Sequence, residues 1–179
     1  MCLDVGMPIL KLITGSLLVM SSLSQIFNFE TWWFIQNVNL IFHEAGHVLF
    51  MFFGNFLSIL GGSLFEIVVP LTVIVHFVAK KQMFSAACTC WWLSTAFLSV
   101  AVYASDAQER ILPLITNDIA THDWFNILVS LNLLKYDDFV GNIFLTFSLL
   151  SVGLSVFLLS KDRDVQNYFS KFKSSSVYE

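Results

Sequence analysis

The sequence predicts an all-α integral membrane protein with about five transmembrane helices. The chain has 179 residues, of which 56% are hydrophobic and only 12% are charged, and its mean hydropathy is +0.74. Typical soluble domains are about 25% charged. The apolar residues are also gathered into segments about as long as the roughly 20 residues that cross a bilayer as a helix. A soluble domain of this length could not bury so much apolar surface.

Five apolar segments are the candidate spans, and polar turns or glycine pairs separate them. We place them at residues 8–27, 34–53, 64–79, 83–105 and 139–160. Together they predict one helical membrane domain, residues 1–160, followed by a polar C-terminal tail, residues 161–179. We interpret the first segment as a retained helix and not as a signal peptide, because its apolar stretch is long enough to span a bilayer.

Two further segments are expected at the membrane without crossing it. Residues 54–63 begin with Gly-Asn and end with Gly-Gly-Ser, which are helix-breaking signals, and predict a re-entrant segment. After residues 121–123, apolar side chains recur at helical spacing at Trp124, Leu128 and Leu131. This pattern predicts a short amphipathic helix at the interface, with Thr121 or Asp123 as its N-cap.

Charge and cysteine usage exclude several classes of function. The net charge is -4, and no basic run interleaved with aromatic residues indicates nucleic-acid binding. Cys88 and Cys90 point about 200° apart on a helix, so they cannot chelate a metal together, and Cys2 stands alone near the terminus. The expected partners are therefore the lipid bilayer and whatever the chemical site of the chain, described next, acts on.

Basic residues predict the orientation. Lys80 and Lys81 fall on the same side as the basic residues of the tail, and the positive-inside rule places that side in the cytoplasm. With five spans, the N-terminus is then expected outside. The predicted location is multi-pass in a bacterial cytoplasmic membrane.

The sequence HEAGH at residues 43–47 is the main chemical signal. On a helix, His43 and His47 lie one turn apart on one face, where two imidazoles can hold one metal ion, with Glu44 beside them. The span places them near the middle of the bilayer, where polar groups are costly unless they serve a purpose. The motif therefore predicts a site for one Zn²⁺ ion, with Glu44 as the general base.

A catalytic zinc ion takes three protein ligands and a water molecule, so one ligand is missing from the motif. Asp106 is the first candidate, because it ends a polar stripe at the end of the fourth span. His122 and the neighbouring Asp123 are alternative or additional candidates on the same side of the membrane.

Three more polar residues are candidates to support these ligands or to contact substrate. Asn39 lies one turn before His43 on the same helix face, Tyr103 lies one turn before Asp106, and Glu66 is an acid within the third span. A carboxylate inside a span is expected to be hydrogen-bonded or protonated.

The HEAGH sequence resembles the metal-binding helix of the site-2 protease family of intramembrane zinc metalloproteases. In that family two histidines and an aspartate from a later membrane helix hold the metal, and the glutamate is the general base. The resemblance implies that His43 and His47 are ligands, that Glu44 is catalytic and that Asp106 is the third ligand. It also implies a glycine-containing re-entrant segment, for which residues 54–63 are the counterpart.

Three functions remain open at this point. The first is a zinc metallopeptidase that hydrolyses a peptide bond in a membrane or membrane-adjacent substrate, with the substrate pairing as an added strand with residues 54–63. The second is a non-enzymatic assembly or partner protein with a structural zinc site, closed by Asp106 and His122 together with the two motif histidines. The third is a lipid-amide hydrolase, which would use the same metal chemistry.

Overall fold

The computed structural model describes residues 6–28 and 33–175, and these residues form seven α-helices and no strand. The predicted all-helical class is confirmed. Cys2 and the last four residues of the predicted tail, 176–179, lie outside the described residues. The helices are α1 (Gly6–Phe27), α2 (Phe34–Phe50), α3 (Asn55–Ala79), α4 (Met83–Ser105), α5 (Asp123–Ser130), α6 (Asp137–Ser160) and α7 (Arg163–Ser175).

Four helical segments are long and apolar enough to cross a membrane, one fewer than the five expected spans. They are α1, α3, α4 and the segment Leu134–Ser160, which contains α6. The expected second span, residues 34–53, forms the 17-residue α2 and a 3-10 turn, Met51–Phe53. At 1.5 Å per residue α2 is about 26 Å long, which is shorter than a hydrocarbon core of about 30 Å.

α4 lies at the centre of the bundle and contacts α1, α2, α3 and α6. It can do so because small residues line it: Ala86, Ala96 and Ala104 are completely buried. The outer surface of the bundle is apolar instead, as shown by the exposed Leu17 and Leu150. A surface of this kind is typical of helices that contact lipid.

α1 runs parallel to α4. Lys11, in the second turn of α1, has its Nζ 5.6 Å from the ring centroid of Phe84 at the start of α4. Further along both helices, the hydroxyl groups of Ser22 and Ser94 are 2.9 Å apart. The start of α1 therefore lies beside the start of α4.

α2 also runs parallel to α4, so α1 and α2 point in the same direction. Asn39 of α2 donates a hydrogen bond to Thr95, and His43, one turn later, contacts the ring of Tyr103. α2 therefore does not reverse the direction of α1, as a second membrane-crossing span would.

The four long segments alternate in direction, which gives the bundle two distinct ends. We call the end with the starts of α1 and α4 the tail end, because α7 lies there and Lys11 forms a 2.9 Å ion pair with Asp162. We call the other the site end. The sequence predicts that the N-terminus and the tail lie on opposite sides of a membrane, whereas the start of α1 and α7 are in contact at one end of this bundle.

The expected irregular segment at residues 54–63 is absent, because α3 is continuous from Asn55. Only Gly54 breaks the chain, with a φ of 95°. Gly61 is helical, and α2 packs closely against it: a Cβ added at Gly46 would overlap the Gly61 carbonyl group. Small residues at such positions are typical of tightly packed membrane helices.

Two other expected elements also differ. The short helix after residue 121 is present as α5, but Trp124 and Leu128 are only 5% and 2% exposed, so its apolar face packs against protein. Its N-cap is His122 and neither Thr121 nor Asp123, since the His122 side chain accepts the hydrogen bond from the Phe125 backbone. Residues 163–175 of the predicted tail are helical and form α7.

Candidate metal centre

The two motif histidines lie in the interior between α2 and α3. His43 is buried and His47 is half-buried, and their ring centroids are 4.8 Å apart. They lie opposite Gly62, which is seven residues after the start of α3 and thus about 10 Å from the site end. The site is therefore nearer to one end of the bundle than to its middle, where the sequence placed it.

Each imidazole is held on its Nδ1 side by an oxygen atom of α3. Nδ1 of His43 is 3.2 Å from Oε2 of Glu66, and Nδ1 of His47 is 2.9 Å from the carbonyl oxygen of Ser58. A carbonyl oxygen can only accept, so His47 carries a proton on Nδ1. The same tautomer of His43 donates to Glu66. In these tautomers a metal ion can bind both rings through Nε2, as in metal-binding histidines that donate their other N–H to an oxygen.

The two Nε2 atoms converge on the carboxylate of Asp123, the first residue of α5. Oδ2 of Asp123 is 2.9 Å from Nε2 of His43 and 3.2 Å from Nε2 of His47. One ligand atom from each of these three residues lies within 4.8 Å of the other two. We call His43, His47 and Asp123 the ligand cluster. It is the only group of this kind among the described residues.

Gly62 provides the space in front of the two imidazoles. A Cβ atom at this position would lie 2.7 Å from Nε2 of His43 and 2.7 Å from Nε2 of His47. Real Cβ atoms do not approach other atoms so closely, so any other residue at this position would force the imidazoles to move. The absence of a side chain at Gly62 therefore leaves room beside the two Nε2 atoms.

The ligand cluster fits a zinc ion by its chemistry. Two neutral imidazoles and one carboxylate are a usual catalytic zinc set. Carboxylates also face both nitrogens of His43, Glu66 at Nδ1 and Asp123 at Nε2. With both carboxylates ionised, the ring must carry two protons unless a cation takes the place of the proton on Nε2. A bound metal removes this requirement.

Asp106, the expected third ligand, does not belong to the ligand cluster. Its Oδ1 accepts from the backbone N–H of Ile111, and its Oδ2 accepts from Leu112 and lies 3.2 Å from Nε2 of His122. Asp106 thus ends α4 and folds the following connection. The polar stripe on α4 made Asp106 a ligand candidate, but these contacts give Asp106 a structural role instead.

His122 also lies outside the ligand cluster, and other groups engage both of its ring nitrogens. Nδ1 accepts from the Phe125 backbone N–H, and Nε2 donates to Asp106. Of the three candidates for the missing ligand, the structure brings only Asp123, the last of the three, to the motif histidines.

The charge states of His122 and Asp123 agree with these roles. Burial tends to raise the pKa of Asp123, but the hydrogen bonds with His43 and His47 outweigh it, and the pKa is lowered overall. Burial lowers the pKa of His122, and the neighbouring Asp106 opposes this only in part. At neutral pH Asp123 is therefore an anion, as a metal ligand must be, and His122 is a neutral donor to Asp106.

Glu44, the expected base, lies on the exposed face of α2. No hydrogen-bond partner for its carboxylate occurs in residues 6–28 or 33–175. Tyr103 lies between the ligand cluster and α5: its ring is 5.9 Å from that of His43, and its hydroxyl oxygen accepts from the Asp123 backbone N–H at 2.9 Å.

Asn39 and Glu66, the other two supporting candidates, have different positions. Glu66 contacts His43 directly, and its Oε1 is buried without a partner in the described part of the chain. Asn39 lies away from the ligand cluster, where it links α2 to Trp92 and Thr95 of α4.

Two residues of the site were not anticipated from the sequence. Ser58 acts through its backbone carbonyl group, which no sequence pattern reveals. Gly62 lies in a glycine pair that was interpreted as a helix breaker, although a glycine is also the residue expected where a backbone must approach other groups closely.

No protein-family model matches the chain, and neither a curated protein nor a solved structure is significantly similar to it.

Proposed function

We propose that this protein is a membrane-embedded zinc metallopeptidase, similar in mechanism to the site-2 protease family, that hydrolyses a peptide bond in a membrane or membrane-adjacent substrate. One observation carries the proposal. The Nε2 atoms of His43 and His47 converge on the Asp123 carboxylate, while oxygen atoms of α3 hold both Nδ1 atoms.

The membrane location is supported by the four long apolar segments and by the apolar outer surface of the bundle. In this proposal α1, α3, α4 and α6 cross the bilayer. α2, which is shorter than these four helices and runs parallel to α1, is the re-entrant element. This assignment replaces the re-entrant segment expected at residues 54–63.

The number of available ligands favours a catalytic site over a structural one. A structural zinc site is closed by four protein ligands, whereas a catalytic site has three and keeps one position open. Asp106 and His122, the residues expected to close the site, bond to each other and to backbone groups. Three ligands then remain.

A bound Zn²⁺ ion would supply Lewis-acid activation of a water molecule and of the scissile carbonyl group. Glu44 takes the proton as the water attacks and transfers it to the leaving amine. Its exposed carboxylate, free of partners in the described chain, is available for this role. The Tyr103 hydroxyl accepts from Asp123 and retains its own proton, with which it can donate to a substrate oxygen.

The path of the substrate follows from the position of Glu44. On α2, Glu44 shares its exposed face with Asn37, Ile41 and Val48. A substrate segment that unwinds locally therefore reaches the site from the open side of α2. The substrate is not expected to pair as a strand with residues 54–63, because residues 55–63 are helical and only Gly54 is not.

Metal analysis combined with a cleavage assay tests the proposal. We would purify the wild type, His43→Ala, Glu44→Gln and the control His76→Ala, whose histidine packs against Phe77 near the tail end of α3. Metal content is measured by mass spectrometry. Cleavage is measured by mass spectrometry of peptides from single-span membrane proteins, reconstituted in vesicles of phosphatidylethanolamine and phosphatidylglycerol.

We expect one zinc ion per chain in the wild type, in Glu44→Gln and in His76→Ala, and loss of zinc in His43→Ala. Cleavage should fall by about 10²- to 10⁴-fold in Glu44→Gln, since general-base catalysis contributes about this much. A wild type without zinc, or cleavage that persists in Glu44→Gln, would contradict the proposal. Glu44-dependent hydrolysis of an N-acyl lipid in the same vesicles, without peptide cleavage, would favour the lipid-amide hydrolase.

A further inference from the structure

Asp106 and His122 form a buried pair beside the ligand cluster. His122 is completely buried and Asp106 is 8% exposed. The pair joins the end of α4 to the start of α5, with Nε2 of His122 3.2 Å from Oδ2 of Asp106. Oδ1 and Oδ2 of Asp106 also accept from the backbone of Ile111 and Leu112. One carboxylate thus fixes both the connection and the histidine.

The same histidine fixes the first turn of α5. Its Nδ1 accepts from the Phe125 backbone N–H at 3.1 Å, and its ring lies 4.3 Å from the ring of Tyr103. The Tyr103 hydroxyl in turn accepts from the backbone N–H of Asp123. The backbone around Asp123 is therefore held by Tyr103 of α4 and by His122, which Asp106 links to the end of α4.

Capping alone does not explain such a pair. Asn or Ser caps a helix N-terminus well without a second side chain, whereas burying a carboxylate and an imidazole carries a desolvation cost. In addition to capping α5, the pair fixes the direction of the residue that follows His122. That residue is Asp123, and a metal ligand must be held within about 0.5 Å of its productive position.

We infer that Asp106 and His122 are positioning residues that hold the Asp123 carboxylate against His43 and His47, so that the third ligand is in place before a metal ion binds. The inference rests on the proposed function, because it assigns to the pair a role toward the metal. The two residues act as one unit: the loss of either removes the constraint on the first turn of α5.

Cobalt binding to the full-length protein in detergent tests this inference, because the absorption spectrum of bound Co²⁺ reports its coordination. The variants are Asp106→Asn, His122→Asn and the double variant. Asn at residue 122 keeps an N-cap for α5 but removes the link to Asp106. Asp123→Asn serves as the ligand variant.

Asp137→Asn is the matched control. Asp137 is also a buried carboxylate at the site end, and it accepts from the backbone and side chain of Gln108 in the same connection. It does not contact His122. Amide hydrogen exchange of α5 in the metal-free proteins gives a second readout, which does not depend on metal binding.

We expect Asp106→Asn and His122→Asn each to weaken Co²⁺ binding by about 10- to 100-fold, the usual effect of losing an outer partner of a metal site, and to change the spectrum. The double variant should bind no more weakly than the weaker single variant. α5 should exchange faster in these three variants, and Asp137→Asn should keep the wild-type affinity, spectrum and α5 exchange.

The outcomes separate the two proposals. If Asp123→Asn loses Co²⁺ while Asp106→Asn and His122→Asn match the wild type, the pair is merely structural and the inference is wrong, but the proposed function stands. If the wild type binds no Co²⁺, or Asp123→Asn binds it equally well, the proposed function fails. Equal loss of α5 protection in Asp137→Asn would also overturn the inference.

Discussion

At the scale of single residues, the site depends on groups that surround the ligands as much as on the ligands. An imidazole binds a metal through one nitrogen, and the direction of that nitrogen is set by the bond at the other. Here the two Nδ1 bonds go to the Glu66 side chain and to the Ser58 backbone. Oxygen atoms of α3 therefore set the tautomers of the two histidines, although both histidines belong to α2.

The substitution Gly62→Ala tests the space that the site requires. Its methyl group would lie 2.7 Å from both Nε2 atoms, so the imidazoles must rotate away and metal affinity should fall at least about tenfold, as in other metal sites with displaced partners. The measurement is a Zn²⁺ competition titration with a chromophoric chelator.

Gly153→Ala is the control for this substitution. Gly153 lies in α6, and a Cβ there meets nothing within 4 Å. Since alanine favours a helix over glycine by up to about 1 kcal/mol, this variant should be as stable as the wild type and should bind Zn²⁺ equally well. Equal affinity in Gly62→Ala and Gly153→Ala would contradict the assigned geometry.

At the scale of elements, α5 is the part of the fold on which the site most depends. It has only eight residues, and a helix of that length is not stable alone. Three consecutive residues attach it to three parts of the bundle. His122 binds the end of α4, Asp123 meets α2, and Nε1 of Trp124 donates to Oγ of Ser63 in α3 at 3.1 Å.

The Trp124–Ser63 hydrogen bond can be tested by a double-mutant cycle. Ser63→Ala leaves the buried indole N–H without its acceptor, and it should lower the free energy of unfolding by about 1–3 kcal/mol. With phenylalanine at residue 124, Ser63→Ala should cost much less, because no donor is left unpaired.

Thermal unfolding in detergent, followed by circular dichroism, gives the stabilities of the four proteins in this cycle. The indole ring also packs 5.3 Å from the ring of Phe144, so Trp124→Phe retains part of the packing. Additive effects of the two substitutions would show that the hydrogen bond does not contribute to the docking of α5.

At the scale of the whole molecule, the direction of α2 decides the topology. With α1 and α2 parallel, the four long segments bring the start of α1 and α7 to the tail end, where Lys11 meets Asp162 and Asp164. The connections near the ligand cluster lie at the site end. In a bilayer, the N-terminus and the tail are therefore expected on one side and the site on the other.

Labelling of single cysteines with a membrane-impermeant maleimide measures this topology. In a background in which Cys2, Cys88 and Cys90 are replaced by serine or alanine, we expect Lys81→Cys and Asn167→Cys to react from one side. Asn117→Cys should react only from the opposite side, since it lies in the connection at the site end.

A cysteine introduced at Met7, near the start of α1, distinguishes this topology from the five-span alternative. It should react from the same side as Asn167→Cys. Labelling of Met7→Cys and Asn167→Cys from opposite sides would show that α2 crosses the membrane, contrary to the parallel arrangement of α1 and α2.

The sequence by itself determined the features that depend on local chain geometry. Apolar composition and segment length gave the helical class, and the bounds expected for the fourth span coincide with α4, Met83–Ser105. The spacing of four residues put His43 and His47 on one helix face, because a turn contains 3.6 residues whatever surrounds it.

Only the tertiary structure decided which residues meet across the chain. Asp106, His122 and Asp123 all have suitable ligand chemistry, and packing of α5 through Trp124 brings the Asp123 carboxylate to Nε2 of His43. Glycines that weaken a helix locally proved helical, and α2 packs closely against them. The contact between His43 and Asp123 joins residues that are 80 positions apart. It depends on the packing of whole helices, which no local pattern in the sequence predicts.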